Sequence, residues 1–237
     1  MTVDSLLVAL CTYNERENIE ALLPEIWRVA PQAHILVVDD NSPDGTGTLV
    51  ADWMTREPRL RLLSRPGKLG LGTATLAALQ FAVDHRYEWV ANLDADFSHP
   101  PRILADLLRQ TPNHDVVLAS RYVAGGGVDG WPWHRHVMSW AINLYARLLL
   151  RLPVRDCSGS FRVYRVALLR QLDLKKFLST GYSVLEELLY HLRRRGARFC
   201  EVPYRYAERR YGQSKIRLSE GLRAGWIILR LALGLGG

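Results

Sequence analysis

Short apolar runs alternate with longer segments of helical periodicity in the first half of the chain. Uninterrupted apolar runs that are bounded by polar or turn residues are typical of strands buried on both faces of a parallel sheet. Such runs occur at Leu6–Leu10, Ile35–Val38, Arg61–Leu63, Trp89–Leu93 and Val116–Ala119. The pattern therefore predicts a parallel sheet built from these segments.

The segments between the runs carry apolar residues at the spacing of one helical face. Three such stripes are Ile19, Leu22, Leu23, Ile26 and Trp27; Leu76, Leu79 and Val83; and Ile103, Leu104, Leu107 and Leu108. Strands that alternate with helices predict an α/β domain with right-handed crossovers over about residues 1–120. Further helices are predicted over about residues 138–150, 183–195 and 216–233, with a short strand at Phe199–Val202.

Polar, acid-rich clusters follow three of the predicted strands. Cys11–Glu15 follow the first strand, Asp39–Thr46 the second and Asp94–Pro100 the fourth. In open α/β sheets, ligands bind just outside the carboxyl ends of the strands. The three clusters therefore predict a ligand site at this edge of the sheet.

Composition excludes several classes of protein. The chain has 237 residues, of which 48% are hydrophobic and 23% charged, and this excludes a disordered chain. Its three cysteines show no CxxC spacing, so we expect neither a disulfide framework nor a zinc site, and we expect a reducing compartment. No basic segment precedes the first apolar run, so we expect no secretory signal.

The two halves of the chain differ in charge. Residues 1–120 carry 10 Lys and Arg against 16 Asp and Glu, a net charge of −6. Residues 121–237 carry 21 against 8, a net charge of +13. This asymmetry indicates an acidic or metal-binding half and a basic half that meets phosphates, lipid headgroups or nucleic acid; the alternative is a basic solvated surface.

Asp94-Ala95-Asp96 places two carboxylates at the end of a buried strand. If the chain turns there, both can face one ligand. A hard divalent cation such as Mg²⁺ or Mn²⁺ binds carboxylates and keeps positions open for phosphate oxygens. Ser98 either adds a neutral oxygen ligand or caps the helix that begins near Pro100 and Pro101.

The other two clusters also have two interpretations each. Asp39-Asp40 can bind ribose hydroxyls or a base edge, whereas the adjacent Pro43-Asp44-Gly45 is ordinary turn chemistry. Tyr13 and Glu15 can stack on and hydrogen-bond a base. The alternative is the start of a helix, with Asn14 as its cap.

Three further segments complete the candidate features. Arg209, Arg210 and Lys215 form a basic loop that either holds phosphates or is a solvated charge run. Gly70–Ala74 lack both the GxGxxG and the P-loop pattern, so they predict a tight packing turn. Residues 224–237 carry one charge but are shorter than the roughly 20 residues that span a bilayer. They predict either a buried core helix or an interfacial helix on an anionic membrane.

Taken together, seven segments resemble the polyprenol-phosphate (dolichol-phosphate) mannose synthases of glycosyltransferase family 2. They match the motifs of that family in order and spacing, over about residues 8–217. The segments are Thr12–Asn18, Val37–Thr46, Asp94–Pro100, Ser120–Val123, Asp156–Arg165, Gly181–Ser183 and Arg209–Lys215.

The resemblance implies an α/β fold of GT-A type, with a mostly parallel sheet flanked by helices over residues 1–217 and an amphipathic or interfacial helix over 218–237. It implies transfer of mannose from GDP-mannose to a polyprenyl (dolichyl) monophosphate. We further expect Mg²⁺ or Mn²⁺ as cofactor and inversion at the anomeric carbon. We also expect a peripheral enzyme on the cytoplasmic face of a membrane, with no nucleic-acid partner.

The resemblance also implies roles for individual residues. Those implied to bind the nucleotide sugar are Cys11, Tyr13, Glu15, Val38, Asp40, Asp94, Ala95, Asp96, Arg121, Arg209 and Lys215. Arg121, Arg135 and Ser139 are implied to bind the acceptor phosphate, and Asp96 and Arg121 to be catalytic. Asp96 is implied to be the principal metal ligand, with Ser98 assisting. This chain has Cys11 where the family usually has proline, and Ser98 where some members have glutamine.

Three alternatives remain open. The donor can be UDP-glucose or another sugar nucleotide, because donor specificity rests on a few hydrogen bonds. A sugar-nucleotide pyrophosphorylase would have a glycine-rich phosphate loop near its start, which Leu10–Glu17 lacks. A non-catalytic nucleotide- or nucleic-acid-binding module leaves the acidic strand ends unexplained.

Overall fold

A seven-stranded mixed sheet forms the centre of the molecule. The computed structural model describes residues 5–206 and 218–235. The strands are β1 (Leu6–Thr12), β2 (His34–Asp39), β3 (Leu60–Ser64), β4 (Trp89–Asp94), β5 (Val116–Ser120), β6 (Gly127–Val128), β7 (Arg162–Arg165), β8 (Phe199–Pro203) and β9 (Arg205–Tyr206). The large sheet has the order β3-β2-β1-β4-β7-β5-β8, and β6 pairs with β9 in a small second sheet.

Helices cover both faces of the sheet. They are α1 (Arg16–Val29), α2 (Thr46–Met54), α3 (Leu71–Asp84), α4 (Arg102–Gln110), α5 (Trp133–Leu149), α6 (Val166–Leu169), α7 (Val184–Arg194) and α8 (Leu218–Ala232), with a 3₁₀ turn at Leu174–Lys176. Leu7 and Ala9 of β1 point into the core under α3, α5, α7 and α8, whereas Leu6, Val8 and Leu10 point into the core under α1, α2 and α4. Burial on both faces explains why this strand is apolar without interruption.

The parallel register brings the acid-rich clusters to one edge of the sheet. β1 lies between β2 and β4, with Thr12 paired to Asp39 and Cys11 paired to Asp94. All three strands run in the same direction, so their carboxyl ends coincide. The predicted shared edge is therefore confirmed.

One strand of the large sheet escapes the sequence pattern. β7 lies between β4 and β5 and is antiparallel to both, whereas the other neighbouring pairs are parallel. Its apolar signal is weak because Arg162 begins the strand, although that side chain is wholly buried. The mostly parallel sheet is confirmed, with this one exception.

The helix boundaries differ from the predicted ones mainly at α5. This helix begins at Trp133, five residues before the predicted start near residue 138, because Pro132 supplies an extended N-cap. α8 spans Leu218–Ala232, close to the predicted 216–233. Its Ile227, Ile228 and Leu231 are buried against the core, so one face of the C-terminal helix packs on the domain.

Candidate active site

A cavity of about 150 Å³ opens at the carboxyl ends of β1, β2 and β4. Seven of the residues predicted to bind a nucleotide sugar line it: Cys11, Tyr13, Glu15, Asp40, Asp94, Ala95 and Asp96. Val38 does not belong to this lining, because its side chain is wholly buried in the core. Its carbonyl oxygen accepts a hydrogen bond from Thr12 Oγ1 at 3.3 Å, and its contact with a nucleotide stays a prediction.

Asp40 is held by a basic residue that the sequence analysis missed. Arg65 Nε donates to Asp40 Oδ1 at 2.5 Å, and the backbone N–H of Leu69 donates to Oδ2 at 3.1 Å. The guanidinium also donates to Thr73 Oγ1 at 2.9 Å, at the start of α3. Arg65 follows β3 directly, so its position at a strand end was the available signal. The pair fixes the loop between β3 and α3 against the cavity.

The predicted turn at Gly70–Ala74 is instead the N-cap and the first turn of helix α3, and it packs closely against the chain around Gly181. Gly70 adopts a left-handed φ of 98°, and a Cβ at Gly72 would overlap the carbonyl oxygen of Gly181. The chain around Gly181 can therefore approach α3 closely only because position 72 has no side chain. Tyr182, which lies in the Gly181–Ser183 motif, lines the cavity from this segment.

Cys11, Tyr13 and Glu15 of the first cluster line the cavity with a thiol, an aromatic ring and a carboxylate. Burial raises the pKa of the Cys11 thiol to about 12, so this side chain stays protonated. Lys68 Nζ lies 4.5 Å from the ring centroid of Tyr13, and Glu15 Oε2 accepts from Asn18 Nδ2 at 2.6 Å. Asn14 does not cap α1 as the alternative expected, because the N-cap is Glu15 and its side chain makes no capping bond.

The chain turns sharply between Asp94 and Ser98. Phe97 has a left-handed φ of 65°, and Asp94 and Asp96 both line the cavity. Ser160 Oγ donates to Asp94 Oδ1 at 2.9 Å. The backbone N–H of Asp94 donates to His99 Nδ1 at 2.9 Å. Burial lowers the pKa of His99, so the ring is neutral and carries its proton on Nε2.

The donor set at this turn fits a divalent cation that shares its coordination with a phosphate ligand. Asp94 and Asp96 offer hard oxygen atoms, but within residues 5–206 and 218–235 no three His, Cys, Asp or Glu side chains form a metal cluster. A cation held by two carboxylates keeps positions for water and phosphate oxygens, as Mg²⁺ sites usually do.

Ser98 is wholly buried beside Asp96. Its hydroxyl donates to Asp96 Oδ1 at 2.6 Å and its backbone N–H donates to the same atom at 3.1 Å. It does not cap α4, because the N-cap of that helix is Pro101. The cap interpretation is therefore wrong, and the assisting metal role of Ser98 stays a prediction.

Arg121 forms a buried ion pair with Asp156, a partner that the sequence analysis did not assign. Arg121 Nε donates to Asp156 Oδ2 at 2.7 Å and Nη2 donates to Oδ1 at 2.6 Å. Burial opposes both charges, but Asp156 raises the pKa of Arg121 and Arg121 lowers the pKa of Asp156. Both groups are therefore charged at neutral pH, and Arg121 is oriented by a fork-to-fork contact.

The residues predicted to bind the acceptor phosphate lie near this pair. The Arg135 guanidinium lies 4.0 Å from the ring centroid of Trp131, and that of Arg121 lies 5.8 Å from the same ring. Ser139 Oγ accepts from the Tyr122 hydroxyl at 2.7 Å. The structure thus brings Arg121, Arg135 and Ser139 to one region, beside the start of α5. Arg209 and Lys215 lie outside the described residues.

In the part of the chain that the structure describes, no helix is both long and apolar enough to cross a membrane.

Comparison with known proteins identifies the family. The family model described as glycosyl transferase family 2 matches residues 7–173. A polyprenol monophosphomannose synthase of Mycolicibacterium smegmatis is 40% identical over 212 residues, which are 89% of this chain and 80% of that protein. An undecaprenyl-phosphate mannosyltransferase of Micrococcus luteus is 37% identical over 97% of this chain and 99% of that protein. Both relatives confirm the resemblance drawn from the motifs.

A solved structure confirms the fold. Glucosyl-3-phosphoglycerate synthase from Mycobacterium tuberculosis, in complex with Mn²⁺, UDP and glucosyl-3-phosphoglycerate, aligns with a TM-score of 0.68 at 21% identity. The alignment covers 98% of this chain and 80% of that chain. The predicted GT-A type fold is thereby confirmed, and the chain belongs to glycosyl transferase family 2.

Proposed function

We propose that this chain transfers mannose from GDP-mannose to a polyprenyl (dolichyl) monophosphate, which yields GDP and polyprenyl-phosphate mannose. The observation that carries the proposal is the juxtaposition of an acid-lined cavity with a buried, charged Arg121–Asp156 pair and the cationic Arg135. The two relatives at 40% and 37% identity, named for mannosyl transfer to polyprenol or undecaprenyl phosphate, support the same chemistry.

The cavity would hold the donor. Tyr13 and Glu15 lie where a base can stack and hydrogen-bond, and Asp40 can accept from ribose hydroxyls through its remaining lone pairs. Asp94 and Asp96 would face the diphosphate. A bound Mg²⁺ or Mn²⁺ would neutralise the charge that develops on the leaving diphosphate. Mn²⁺ accompanies UDP-glucose in a solved structure of the mycobacterial synthase, which supports a divalent cation here.

The acceptor phosphate needs a cationic group that binds and orients it, and it does not need a general base that removes a proton. Its phosphate is already an anion at neutral pH, so it can attack without a general base. Arg121 uses Nε and Nη2 to contact Asp156, which leaves Nη1 as the guanidinium nitrogen that can reach a phosphate oxygen. A phosphate oxygen forms the bond to the anomeric carbon while the bond to the GDP oxygen breaks. One such displacement inverts the anomeric centre and gives a β-linked product.

The acceptor is a membrane lipid, so we propose a peripheral enzyme at the cytoplasmic face of a membrane. Cys11, Cys157 and Cys200 are free thiols, which agrees with a reducing compartment.

The test is transfer of label from GDP-mannose into an organic phase that contains polyprenyl phosphate. We expect label with Mg²⁺ or Mn²⁺, loss of label with EDTA, and loss in Asp96→Asn. Asp52→Asn is the matched control, because Asp52 lies exposed on α2. Transfer from UDP-glucose alone would replace the donor in the proposal, and an α-linked product would refute inversion. A folded protein that transfers no sugar would favour the binding module.

A further inference from the structure

Asn143 is a buried amide on α5 to which the proposed reaction gives no role. Its Oδ1 accepts from the backbone N–H of Cys157 at 2.7 Å and from that of Ser158 at 3.1 Å. Its Nδ2 donates to the carbonyl oxygen of Ser139 at 2.7 Å and to Ser158 Oγ at 3.1 Å. Every donor and acceptor position of the amide is therefore used, and three of these four bonds join α5 to the loop before β7.

The loop that Asn143 holds also holds Arg121. Asp156 accepts hydrogen bonds from the backbone nitrogen, Nε and Nη2 of Arg121. Arg121 Nη2 also donates to Ser158 Oγ at 3.0 Å. Ser158 Oγ therefore lies between the guanidinium and the Asn143 amide and accepts from both. The amide thus reaches Arg121 through one shared oxygen atom.

A second set of contacts ties the residue after Arg121 to the same helix. The Tyr122 hydroxyl donates to Ser139 Oγ at 2.7 Å, and the carbonyl oxygen of Ser139 accepts from Asn143 Nδ2. Because Tyr122 follows Arg121 in the chain, these contacts close a ring through Arg121, Ser158, Asn143, Ser139 and Tyr122. The ring fixes the loop after β5 against α5 at two points.

Two cations on different elements explain why such a ring is needed. Arg135 lies on α5, about two turns before Asn143, whereas Arg121 directly follows β5. Both guanidinium groups lie beside the ring of Trp131, at 4.0 and 5.8 Å from its centroid. Like charges at short range repel each other. Other contacts must therefore hold the two elements together until an anion binds between the arginines.

The alternative is that Asn143 serves only to satisfy buried backbone groups. Its Oδ1 would be sufficient for that purpose, since it pairs with the N–H groups of Cys157 and Ser158. Nδ2, however, also donates to the Ser158 hydroxyl, which Arg121 contacts as well. The one bond of the amide that satisfies no backbone group is thus the bond that leads to the arginine.

We propose that Asn143 is a positioning residue, which holds Arg121 at a fixed separation from Arg135 so that both arginines can bind one acceptor phosphate. The assignment rests on the proposed function in that the anion is the phosphate of a prenyl lipid. Asn143 does not contact the acceptor itself and acts through Ser158. Loss of the amide should therefore weaken phosphate binding and slow transfer, while binding of the nucleotide stays unchanged.

The experiment measures calorimetric binding of a water-soluble, short-chain prenyl phosphate and of GDP, together with mannose transfer, below the melting temperature of each variant. Asn143→Ala should weaken prenyl phosphate binding by about tenfold and lower kcat by roughly tenfold to a hundredfold, with GDP binding unchanged. Ser158→Ala breaks the same link by removing one oxygen atom, so it should change the same two quantities by about threefold or more even if Asn143→Ala fails to fold. Ala146→Gly is the matched control: it destabilises α5 at a wholly buried position one turn away and should bind and transfer normally.

A double-mutant cycle separates positioning from a merely structural role. Arg121→Lys loses the planar fork that contacts Asp156 and Ser158, so in that background Asn143→Ala should lower kcat/KM by less than about twofold. The assignment is overturned if the loss is equal in both backgrounds, if Ala146→Gly causes the same loss, or if Asn143→Ala binds prenyl phosphate and transfers mannose normally; in that last case the proposed function stands. If the unaltered chain binds prenyl phosphate but transfers no mannose, the proposed function fails, and weaker binding by Asn143→Ala alone still supports the positioning role.

Discussion

Asp156→Asn isolates the contribution of the buried ion pair, because it preserves the volume of the side chain and removes its charge. Asp156 Oδ2 accepts from the backbone N–H and Nε of Arg121, at 2.9 and 2.7 Å. Oδ1 accepts from Arg121 Nη2 at 2.6 Å and from the Gly159 N–H at 2.9 Å. All four partners are donors, so an amide NH₂ faces two donors in either orientation.

The cost of that substitution follows from burial. The Asp156 side chain is 0% exposed and that of Arg121 is 8% exposed, so the unpaired guanidinium cannot be rehydrated without a rearrangement. Removal of one partner from a buried pair costs about 3–5 kcal/mol. In a chain of this size the melting temperature should fall by roughly 6–20 °C. In the proposed reaction, displacement of Arg121 from the acceptor phosphate should lower kcat by roughly a hundredfold.

The assays are urea unfolding, followed by circular dichroism, and transfer from GDP-mannose under saturating donor. Asp129→Asn is the matched control, since Asp129 pairs with Arg205 through the same two groups but both side chains are more than half exposed. We expect no measurable change in stability or transfer from that variant. The reasoning is refuted if both variants have the same free energy of unfolding, or if Asp156→Asn transfers mannose at the normal rate.

Other groups lead to further predictions. Burial raises the pKa of Glu186 from 4.5 to about 7, so the protonated side chain stabilises the fold fully below about pH 4.5, and this stabilisation is lost as the pH rises through 7. In urea, the free energy of unfolding of Glu186→Gln should equal that of the unaltered chain at about pH 4 and exceed it by about 3 kcal/mol at about pH 8. Equal free energies of unfolding at both pH values would contradict this. Gly72→Ala should destabilise the fold by about 1–3 kcal/mol and raise KM for the donor, because the new methyl group overlaps the Gly181 backbone. Gly225→Ala is the control in the same thermal scan and should not destabilise the fold, because there is open space around its Cβ. With a pKa of about 12, the Cys11 thiol should be alkylated about a thousandfold more slowly at neutral pH than a thiol of ordinary pKa. Mass spectrometry of a timed alkylation reaction would measure this difference, and rapid modification of Cys11 in the folded chain would refute the burial argument.

The sheet was predictable from the sequence to the extent that its strands are uniformly buried. Leu6–Leu10 and Val116–Ala119 are apolar at every position because both faces of the sheet are covered by helices. β7 was not predictable in this way. Arg162 is buried by long-range partners, since its Nη1 donates to the carbonyl oxygen of Leu185 at 2.7 Å and its Nη2 to that of Cys157 at 2.5 Å. A local pattern cannot distinguish such an arginine from a solvated one.

The candidate site was predictable in its acids and not in their partners. Asp40, Asp94 and Asp96 follow strands directly, so the parallel register alone brings them to one edge. Arg65 and Asp156 act through pairings 25 and 35 residues away in the chain, which no spacing within a single motif specifies. Side-chain partners across such distances become apparent only when the chain is folded.

One segment, Asp156–Arg162, connects the proposed donor side of the site to the proposed acceptor side. Asp156 orients Arg121, and Ser160 donates to Asp94 in the donor cavity at 2.9 Å. Asn143 of α5 holds the same segment, because its Oδ1 accepts from two consecutive backbone N–H groups. In the proposed reaction, in-line displacement would require the acceptor phosphate and the leaving diphosphate to be aligned across the sugar. A single short segment that holds Arg121 on one side and Asp94 on the other would support that alignment, because the same stretch of backbone positions both groups.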